Sequence, residues 1–373
     1  MKESIWYRFD WWLLAAAVLL SGMGLISIFS TTQSAFWTLL DRRFLGQLIY
    51  LFFGVIACLI VANYEYRKLR AYIYPLFLLS LLVLVGVALF GSVHNGSRAW
   101  FDLGVLSIQP AEFAKPIFIL TLATFLGRRR HHSVASILQA GLFLVPLIGL
   151  IMLQPDFGTA TVFLAIWIFV MLGVKLPGRQ KLLLVILGLL LTVLAVSAAI
   201  ILLPDGHFQK QRLLVYPEQL LLEGKRHLDI GYQVDQSLIA IGSGGFWGKG
   251  IGAGSQSQLG FIPAAQTDFI FAALAEEMGF IGIAIFLLLF IFLLIRILHI
   301  ASGAQDEFGR IIVFGVFGLI FFHAIQAIGM TLGLVPVTGI PLVLVSYGGS
   351  SLLTTYISLG LTESVKIRYK KAL

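Results

Sequence analysis

The chain has 373 residues, of which 59% are hydrophobic and only 12% charged, with a mean hydropathy of +0.95 and a formal net charge of +8. A soluble domain cannot bury this much apolar surface, because its exterior requires polar side chains. The composition therefore excludes a soluble globular protein and predicts an integral membrane protein. The single cysteine, Cys58, excludes a disulfide framework and a thiolate metal cluster.

Apolar runs long enough to cross roughly 30 Å of hydrocarbon recur along the chain. We predict an all-α, polytopic transmembrane bundle of about ten spans, forming one integral membrane domain over residues 1–373. The first span is long and follows a charged, aromatic segment, which favours an anchor over a cleaved signal. The predicted spans lie near 11–30, 45–62, 71–91, 109–127, 134–153, 159–174, 182–203, 267–295, 311–330 and 346–365.

Lysine and arginine in short connections are retained on the cytoplasmic side. With the N-terminus inside, about 17 of the 26 basic residues fall in cytoplasmic segments. This distribution predicts that both termini lie in the cytoplasm. The positive charge is then explained by topology and by attraction to anionic membrane lipid, without a nucleic-acid partner.

Two stretches depart from the pattern of spans and short connections. Residues 204–265, between the seventh and eighth spans, form a large loop predicted outside the cytoplasm, and GYQVDQSLIAIG within it has helical spacing. Residues 331–351 carry no charge but contain two prolines and several glycines. Such a segment is predicted to be broken or re-entrant, packed in protein or lining a wet cavity.

Ionisable groups in or beside spans are costly and mark functional candidates. QPAEFAK places Glu112 and Lys115 three residues apart on one helix face, where a structural ion pair and a substrate-facing role are both open. QPDFGTA places Asp156 between two spans, where a plain turn is the alternative. Asp268 in TDFIFAALAEE opens an apolar helix at its outer mouth, where it is either an N-cap or a general base.

Basic residues on the predicted outer side indicate an anionic ligand such as a diphosphate. These are Arg98, Lys115, Arg212 and Lys249. The glycine-rich run around Lys249 lacks the GK[ST] ending of a nucleotide loop. Its glycines are more simply explained by backbone that closely approaches a lipid headgroup or a sugar.

Four stretches in this order, QPAEFAK, QPDFGTA, GSGGFWGKGIGAGSQSQLGFIPAAQTDFIFAALAEE and PVTGIP…LVSYGGSS, resemble the SEDS family (shape, elongation, division and sporulation) over essentially the whole chain. GSQSQLGFIP is more similar to the elongation branch than to the division branch. The resemblance implies a peptidoglycan glycosyltransferase of the bacterial cytoplasmic (inner) membrane, which polymerises lipid II at the outer face of that membrane for cell elongation and rod shape. Its implied partners are a class B penicillin-binding protein and other membrane proteins of the elongation complex.

The resemblance also assigns roles to residues. It makes Asp268 the catalytic residue and places Glu112, Lys115 and Asp156 in a polar cavity. The family commonly has arginine directly before the tryptophan of its first outer loop, whereas this chain has Arg98, Ala99 and Trp100. Arg98 and Trp100 are the substrate contacts implied in this loop, and the departure from the family pattern concerns Arg98. Val343 and Ala327 replace a usual proline and asparagine.

The implied reaction is an inverting glycosyl transfer in which Asp268 deprotonates the acceptor. Basic side chains or a divalent cation such as Mg2+ would neutralise the diphosphate leaving group, and no cofactor is specified by the sequence. A flippase for the same lipid is the main alternative, because broken helices and intramembrane charges also suit transport. A passive scaffold would not need these ionisable groups.

Overall fold

The computed structural model describes residues 5–32, 42–94, 96–102, 107–129, 132–202 and 230–369. The described chain is a bundle of helices, with 3-10 turns at Ile5–Arg8 and Tyr66–Ala71. The helices are α1 (Trp11–Thr32), α2 (Arg42–Asn63), α3 (Ile73–Phe90), α4 (Pro110–Leu126), α5 (Val134–Gly141), α6 (Leu144–Leu153), α7 (Phe157–Gly173), α8 (Gly178–Leu202), α9 (Ile230–Ser243), α10 (Ser255–Gln258), α11 (Ile270–Ser302), α12 (Glu307–Thr331) and α13 (Gly349–Ile367).

Helix is present at every predicted span, which confirms the all-α polytopic class. One predicted span, 134–153, is two helices, because the chain turns at Leu142 and Phe143 between α5 and α6. Among the described residues, six helical stretches are long and apolar enough to cross a membrane: α1, α2, α3, α5 with α6, α11 and α12. The number of crossings beyond these stays a prediction.

A small antiparallel sheet between α3 and α4 was not predicted. It has the order β1 (Ser92–His94), β2 (Ser97–Asp102) and β3 (Ser107–Ile108). Val93 pairs with Arg98 across a tight turn in which Gly96 has a φ of 79°. An Asn-Gly turn followed by alternating side chains is a hairpin signal, but the strands are short enough to be mistaken for a loop.

The helices run between two ends of the bundle. One end, called here the site end, carries the sheet, the turn 264–269 and the irregular segment 332–348. The other, called the basic end, carries Tyr66–Ala71 and residues 303–306, and it also brings together both ends of the described chain, since Arg8 donates to the Tyr369 carbonyl at 2.6 Å. Large apolar side chains on the outside remain exposed, such as Phe52 at 62%, Leu82 at 60% and Leu288 at 67%. Exposed apolar surface on this scale suits lipid rather than water.

Close packing of α2 against α13 depends on two glycines. A methyl group at Gly54 would lie 2.9 Å from the Tyr356 ring, and one at Gly360 would lie 2.7 Å from the Cys58 carbonyl oxygen. Small residues allow helix backbones to approach closely in membranes, where packing replaces the hydrophobic driving force. These contacts hold α13 beside α2 over much of its length.

Asp306 organises the basic end. It accepts from Arg67 Nε at 2.6 Å, from the Tyr66 hydroxyl at 2.9 Å and from the Gly309 amide at 2.7 Å, and so caps α12. Burial raises the pKa of Asp306, but these donors together outweigh it and hold the pKa below its ordinary value. The carboxylate is therefore ionised throughout the neutral range.

We expect Gly360→Ala to lower the unfolding temperature in detergent, since the new methyl group forces α2 away from α13 at a cost of about 1–3 kcal/mol. Gly22→Ala is the matched control, because a methyl group there meets nothing within 4 Å and alanine is the better helix former. Equal unfolding temperatures for the two variants would contradict the packing argument.

We also expect Asp306→Asn to destabilise the protein at pH 7 by about 1 kcal/mol or less, because the pair with Arg67 is partly exposed. The folded-state pKa lies below the unfolded value near 3.8, so the ionised Asp306 stabilises the fold above that pH and loses this effect as the pH falls through the folded value. Unfolding temperatures measured from pH 7 to pH 3 should converge for the two proteins. A difference independent of pH would rule out this role for the charge.

Candidate active site

Residues 332–348, within the stretch predicted to be broken, form an irregular segment between α12 and α13. Leu344 and Gly339 have positive φ values of 70° and 74°. Side chains of neighbouring helices bond its backbone: Gln47 donates to the Ser346 carbonyl at 3.0 Å and accepts from the Gly348 amide at 3.2 Å, and Gln326 donates to the Pro336 carbonyl at 3.0 Å. Irregular backbone at membrane depth needs such partners.

The turn that carries Asp268 is fastened to this segment. Ser346 Oγ donates to the Thr267 carbonyl at 2.6 Å, and the Tyr347 amide donates to the Gln266 carbonyl at 2.9 Å. Asp268 is half-buried at the site end, and α11 begins two residues later with Phe269 at the N-cap position. The fold therefore does not use Thr267 or Asp268 as the N-cap residue of α11, which was the alternative to a general base.

Glu112 and Lys115 form a buried ion pair on α4. Lys115 Nζ lies 2.6 Å from Glu112 Oε1, with side-chain exposures of 1% and 5%. Lys115 Nζ also lies 3.1 Å from Nε2 of buried His323 on α12, whose Nδ1 lies 3.0 Å from the Pro341 carbonyl. Because that carbonyl can only accept, His323 carries its proton on Nδ1 and accepts from Lys115 through Nε2. The group links α4 to α12 and to the irregular segment.

Asp156 is the N-cap residue of α7. It accepts from the Thr159 amide at 2.9 Å and the Thr159 hydroxyl at 2.8 Å, and Gln109 Nε2 donates to it at 3.2 Å. The Gln109 amide in turn donates to Ser350 Oγ at 3.1 Å. Asp156 therefore lies in a turn, the alternative given for it above. The hydrogen bonds of this turn connect the starts of α4, α7 and α13.

Part of the glycine-rich segment after α9 packs its backbone against α11, at Gly244, Gly248 and Gly254. α11 is kinked at Gly279, whose φ is 62°. The amides of Lys249 and Gly250 donate to the Glu276 and Glu277 carbonyls at 3.0 Å, and the Phe280 amide donates to the Gly245 carbonyl at 2.9 Å. These bonds replace the helical ones lost at the kink. A methyl group at Gly248 would lie 2.2 Å from the Glu277 carbonyl oxygen, which explains the glycine.

Lys249 lies at this kink and is paired with a carboxylate. Its Nζ lies 2.6 Å from Glu276 Oε1, with side-chain exposures of 26% for Lys249 and 0% for Glu276. Glu276 also accepts from the Gln256 amide at 2.9 Å and the Ser257 amide at 3.1 Å. An anionic ligand at Lys249 would therefore compete with Glu276 for the lysine ammonium group.

Arg98 and Trp100 lie on β2, and Arg212 lies outside the described residues, as do residues 203–229 of the predicted large loop. Arg98 is exposed and donates to the Leu89 carbonyl at 3.4 Å, and Trp100 is half-buried. The structure thus brings Glu112, Lys115, Asp156 and the turn of Asp268 around one irregular segment and its junction with α13. Lys249, Arg98 and Trp100 lie in other elements of the site end.

Sequence reasoning missed His323 and Gln47. His323 is a single ionisable residue within an apolar span, which is itself a signal for function or pairing. Gln47 offers no such signal, because a lone amide near a helix start has many unremarkable explanations. Among the residues that the structure describes, no group of three or more His, Cys, Asp or Glu side chains is arranged to hold a metal ion.

We expect Lys115→Met to destabilise the protein by about 3–5 kcal/mol, because it leaves the Glu112 carboxylate buried without its partner. The double variant Glu112→Gln with Lys115→Met should recover much of this loss, since no uncompensated charge remains. Lys249→Met is the comparison for a pair whose lysine is partly exposed, and it should cost less, because Glu276 keeps its amide donors. Denaturation of purified protein in detergent measures all three, and equal losses in the single and double variants would contradict the ion-pair argument.

The sequence matches the family described as cell cycle protein, FtsW/RodA/SpoVE, over residues 10–371. The peptidoglycan glycosyltransferase RodA of Treponema pallidum is 31% identical, over 96% of this chain and 98% of the relative. The peptidoglycan glycosyltransferase MrdB of Escherichia coli K12 is 36% identical, over 88% of this chain and 86% of the relative.

Solved structures show the same likeness. A chain from a peptidoglycan synthase complex, described as coordinating polymerization and crosslinking, superposes with a TM-score of 0.77 at 30% identity, covering 96% of this chain and 97% of that one. The rod shape determining protein RodA of Thermus thermophilus superposes with a TM-score of 0.69 at 30% identity, covering 96% of both chains. The motifs around the irregular segment, the helical bundle and these matches agree, and the chain belongs to the FtsW/RodA/SpoVE (SEDS) family of membrane proteins.

Proposed function

We propose that this chain is a peptidoglycan glycosyltransferase that polymerises lipid II into glycan strands during cell elongation and rod-shape maintenance, with Asp268 as its general base. The observation that carries the assignment is the half-buried Asp268 turn, bonded to Ser346 and Tyr347 at the site end. Relatives that bear the name peptidoglycan glycosyltransferase, aligned over nearly the whole chain, support the reaction type.

In the proposed reaction, the Asp268 carboxylate accepts the proton of the acceptor's GlcNAc 4-hydroxyl. The hydroxyl oxygen attacks the anomeric carbon of the lipid-linked MurNAc, and the bond from that carbon to the diphosphate oxygen breaks. Undecaprenyl diphosphate leaves with the bonding electron pair, and the anomeric configuration inverts. A turn held by two hydrogen bonds from the irregular segment keeps the base in place before substrate arrives, which lowers the cost of reaching the transition state.

The leaving diphosphate needs positive charge nearby. Arg98, Arg212 and Lys249 are the proposed contacts, whereas Lys115 is already committed to Glu112 and His323 in the core. Because the described residues offer no cluster of three acidic or histidine ligands, a divalent cation such as Mg2+ would be held through the diphosphate and one carboxylate, as this ion commonly is. Such an ion would supply additional charge neutralisation.

The proposed orientation places the basic end in the cytoplasm and the site end outside. Basic residues gather at the basic end, among them Arg67, Arg70, Arg296, Arg310 and Arg368, and the positive-inside rule assigns such an end to the cytoplasm. Both termini are then cytoplasmic, in agreement with the contact between Arg8 and Tyr369. The lipid tails stay in the bilayer while the sugars react at its outer surface.

The proposed partners are a class B penicillin-binding protein, which would cross-link the strands, and other membrane proteins of the elongation complex. The support is that one similar chain comes from a peptidoglycan synthase complex that coordinates polymerization and crosslinking.

A lipid II flippase is the second candidate, and the buried Glu112, Lys115 and His323 group is the observation that favours it, because intramembrane charges are frequent in transport pathways.

Asp268→Asn, purified with its penicillin-binding partner, should lose roughly 10²–10⁴-fold in glycan polymerisation, the usual contribution of a general base. Its unfolding temperature and its binding of lipid II should stay unchanged, because asparagine has nearly the same shape. Asp306→Asn at the basic end is the matched control and should keep the wild-type rate.

Wild-type polymerisation by Asp268→Asn would remove the general-base assignment. Liposomes containing fluorescent lipid II separate the two candidate functions. Transfer of the lipid between leaflets by the wild type, without formation of glycan strands, would favour the flippase.

A further inference from the structure

A groove opens between the end of α4 and the break that separates α5 from α6. Its volume is about 440 Å³, and its lining residues are Phe125, Arg129, Gln139, Leu142 and Phe143. It lies on the outside of the bundle near the basic end, because Arg129 follows the last turn of α4. None of the residues assigned to the proposed reaction takes part in it.

The walls of the groove are apolar and held in place by ring contacts. Phe143 lies at the α5–α6 break, with its ring 5.4 Å from that of Phe125, 5.6 Å from Phe77 and 6.2 Å from Tyr74. Leu142, beside it in the break, is 66% exposed. The groove therefore presents apolar side chains at the outer surface of the bundle.

Two arginines lie beside this groove: Arg129 lines it, and Arg128 lies over Tyr74, whose ring contacts that of Phe143. The Arg129 guanidinium lies 4.6 Å from the Phe125 ring centre and donates to Gln139 Oε1 at 2.7 Å, and the Arg128 guanidinium lies 5.6 Å from the Tyr74 ring centre. Stacking on a ring fixes the guanidinium plane and leaves its N–H edges available. Within the described ranges neither arginine has a carboxylate partner.

Three other arginines of the basic end are neutralised by carboxylates, whereas Arg70 lies over the Phe308 ring and Arg368 donates to backbone carbonyls. Arg67 pairs with Asp306, Arg296 with Asp10 and Arg310 with Glu307. The two arginines at the groove thus form a local excess of positive charge directly above apolar walls. A ligand that complements both features must carry an anionic group and a hydrocarbon chain on the same molecule.

We propose that this groove binds an anionic phospholipid of the leaflet at the basic end, with its phosphate at Arg128 and Arg129 and an acyl chain against Leu142 and Phe143. Basic pockets between membrane helices recognise anionic headgroups in this way, and guanidinium groups bind phosphate through paired N–H donors. A free phosphate would leave the apolar walls uncovered, and a zwitterionic lipid such as phosphatidylcholine would bring a cationic choline close to the two arginines. This site is independent of the proposed glycosyl transfer.

The test is lipid binding by the full chain in detergent, measured by native mass spectrometry and by unfolding temperature, with phosphatidylglycerol, phosphatidylcholine and inorganic phosphate as separate additions. The wild type should bind phosphatidylglycerol in preference to phosphatidylcholine. Arg128→Gln with Arg129→Gln should weaken that binding by about tenfold or more, through loss of hydrogen bonds to a charged group. Lys175→Gln with Arg179→Gln removes the same charge from exposed positions elsewhere and should change binding by less than about twofold, since surface charge attraction is screened.

Leu142→Trp provides a second variant that keeps the charge but fills the groove, and it should also displace the bound phosphatidylglycerol. If the double arginine variant does not fold, the binding of phosphatidylglycerol by Leu142→Trp tests the proposal instead. Equal losses in the two double variants, equal binding of the two lipids, or stabilisation by inorganic phosphate to the same extent as by phosphatidylglycerol would each overturn the proposal.

Discussion

Unpaired backbone groups cannot be left in hydrocarbon, and the irregular segment 332–348 is the place where this constraint shapes the molecule. An unsatisfied peptide group there costs several kcal/mol, so Gln47, Gln326 and His323 supply bonds from α2 and α12. The segment also provides two donors, the Tyr347 amide and the Ser346 hydroxyl, which bond the turn of Asp268. The bonds that make the broken backbone tolerable are thus continuous with those that position the proposed base.

Charge in the bundle follows a related rule, since a buried ion needs a partner as well as a hydrogen-bonded setting. Glu112 and Lys115 satisfy each other in the core with help from His323, and Glu276 satisfies Lys249 at the kink of α11. These pairs connect helices and fix their relative positions. Asp268 is half-buried on the turn 264–269 at the site end, where we propose that its carboxylate meets a sugar hydroxyl.

Glycine serves two different purposes in this fold. At Gly54 and Gly360 the absence of a side chain lets α2 and α13 pack closely. At Gly248 and Gly279 it lets two backbones exchange hydrogen bonds, so that α11 can bend without leaving amides or carbonyls unpaired. Part of the glycine-rich run thus supports the kink of α11, the helix that follows the Asp268 turn.

The sequence by itself determined the membrane class and the helical regions, and it placed Glu112 and Lys115 on one helix and Asp156 and Asp268 between helices or at their ends, because hydropathy, proline and acidic residues act locally along the chain. It did not indicate the sheet at β1 to β3, the break at Leu142, or that Lys249 is occupied by Glu276. Only the tertiary structure decided which side chain serves each freed backbone group, as for His323 with Pro341 and Gln47 with Ser346. Such partners lie on different helices, and their meeting depends on packing geometry, which no local pattern of residues encodes.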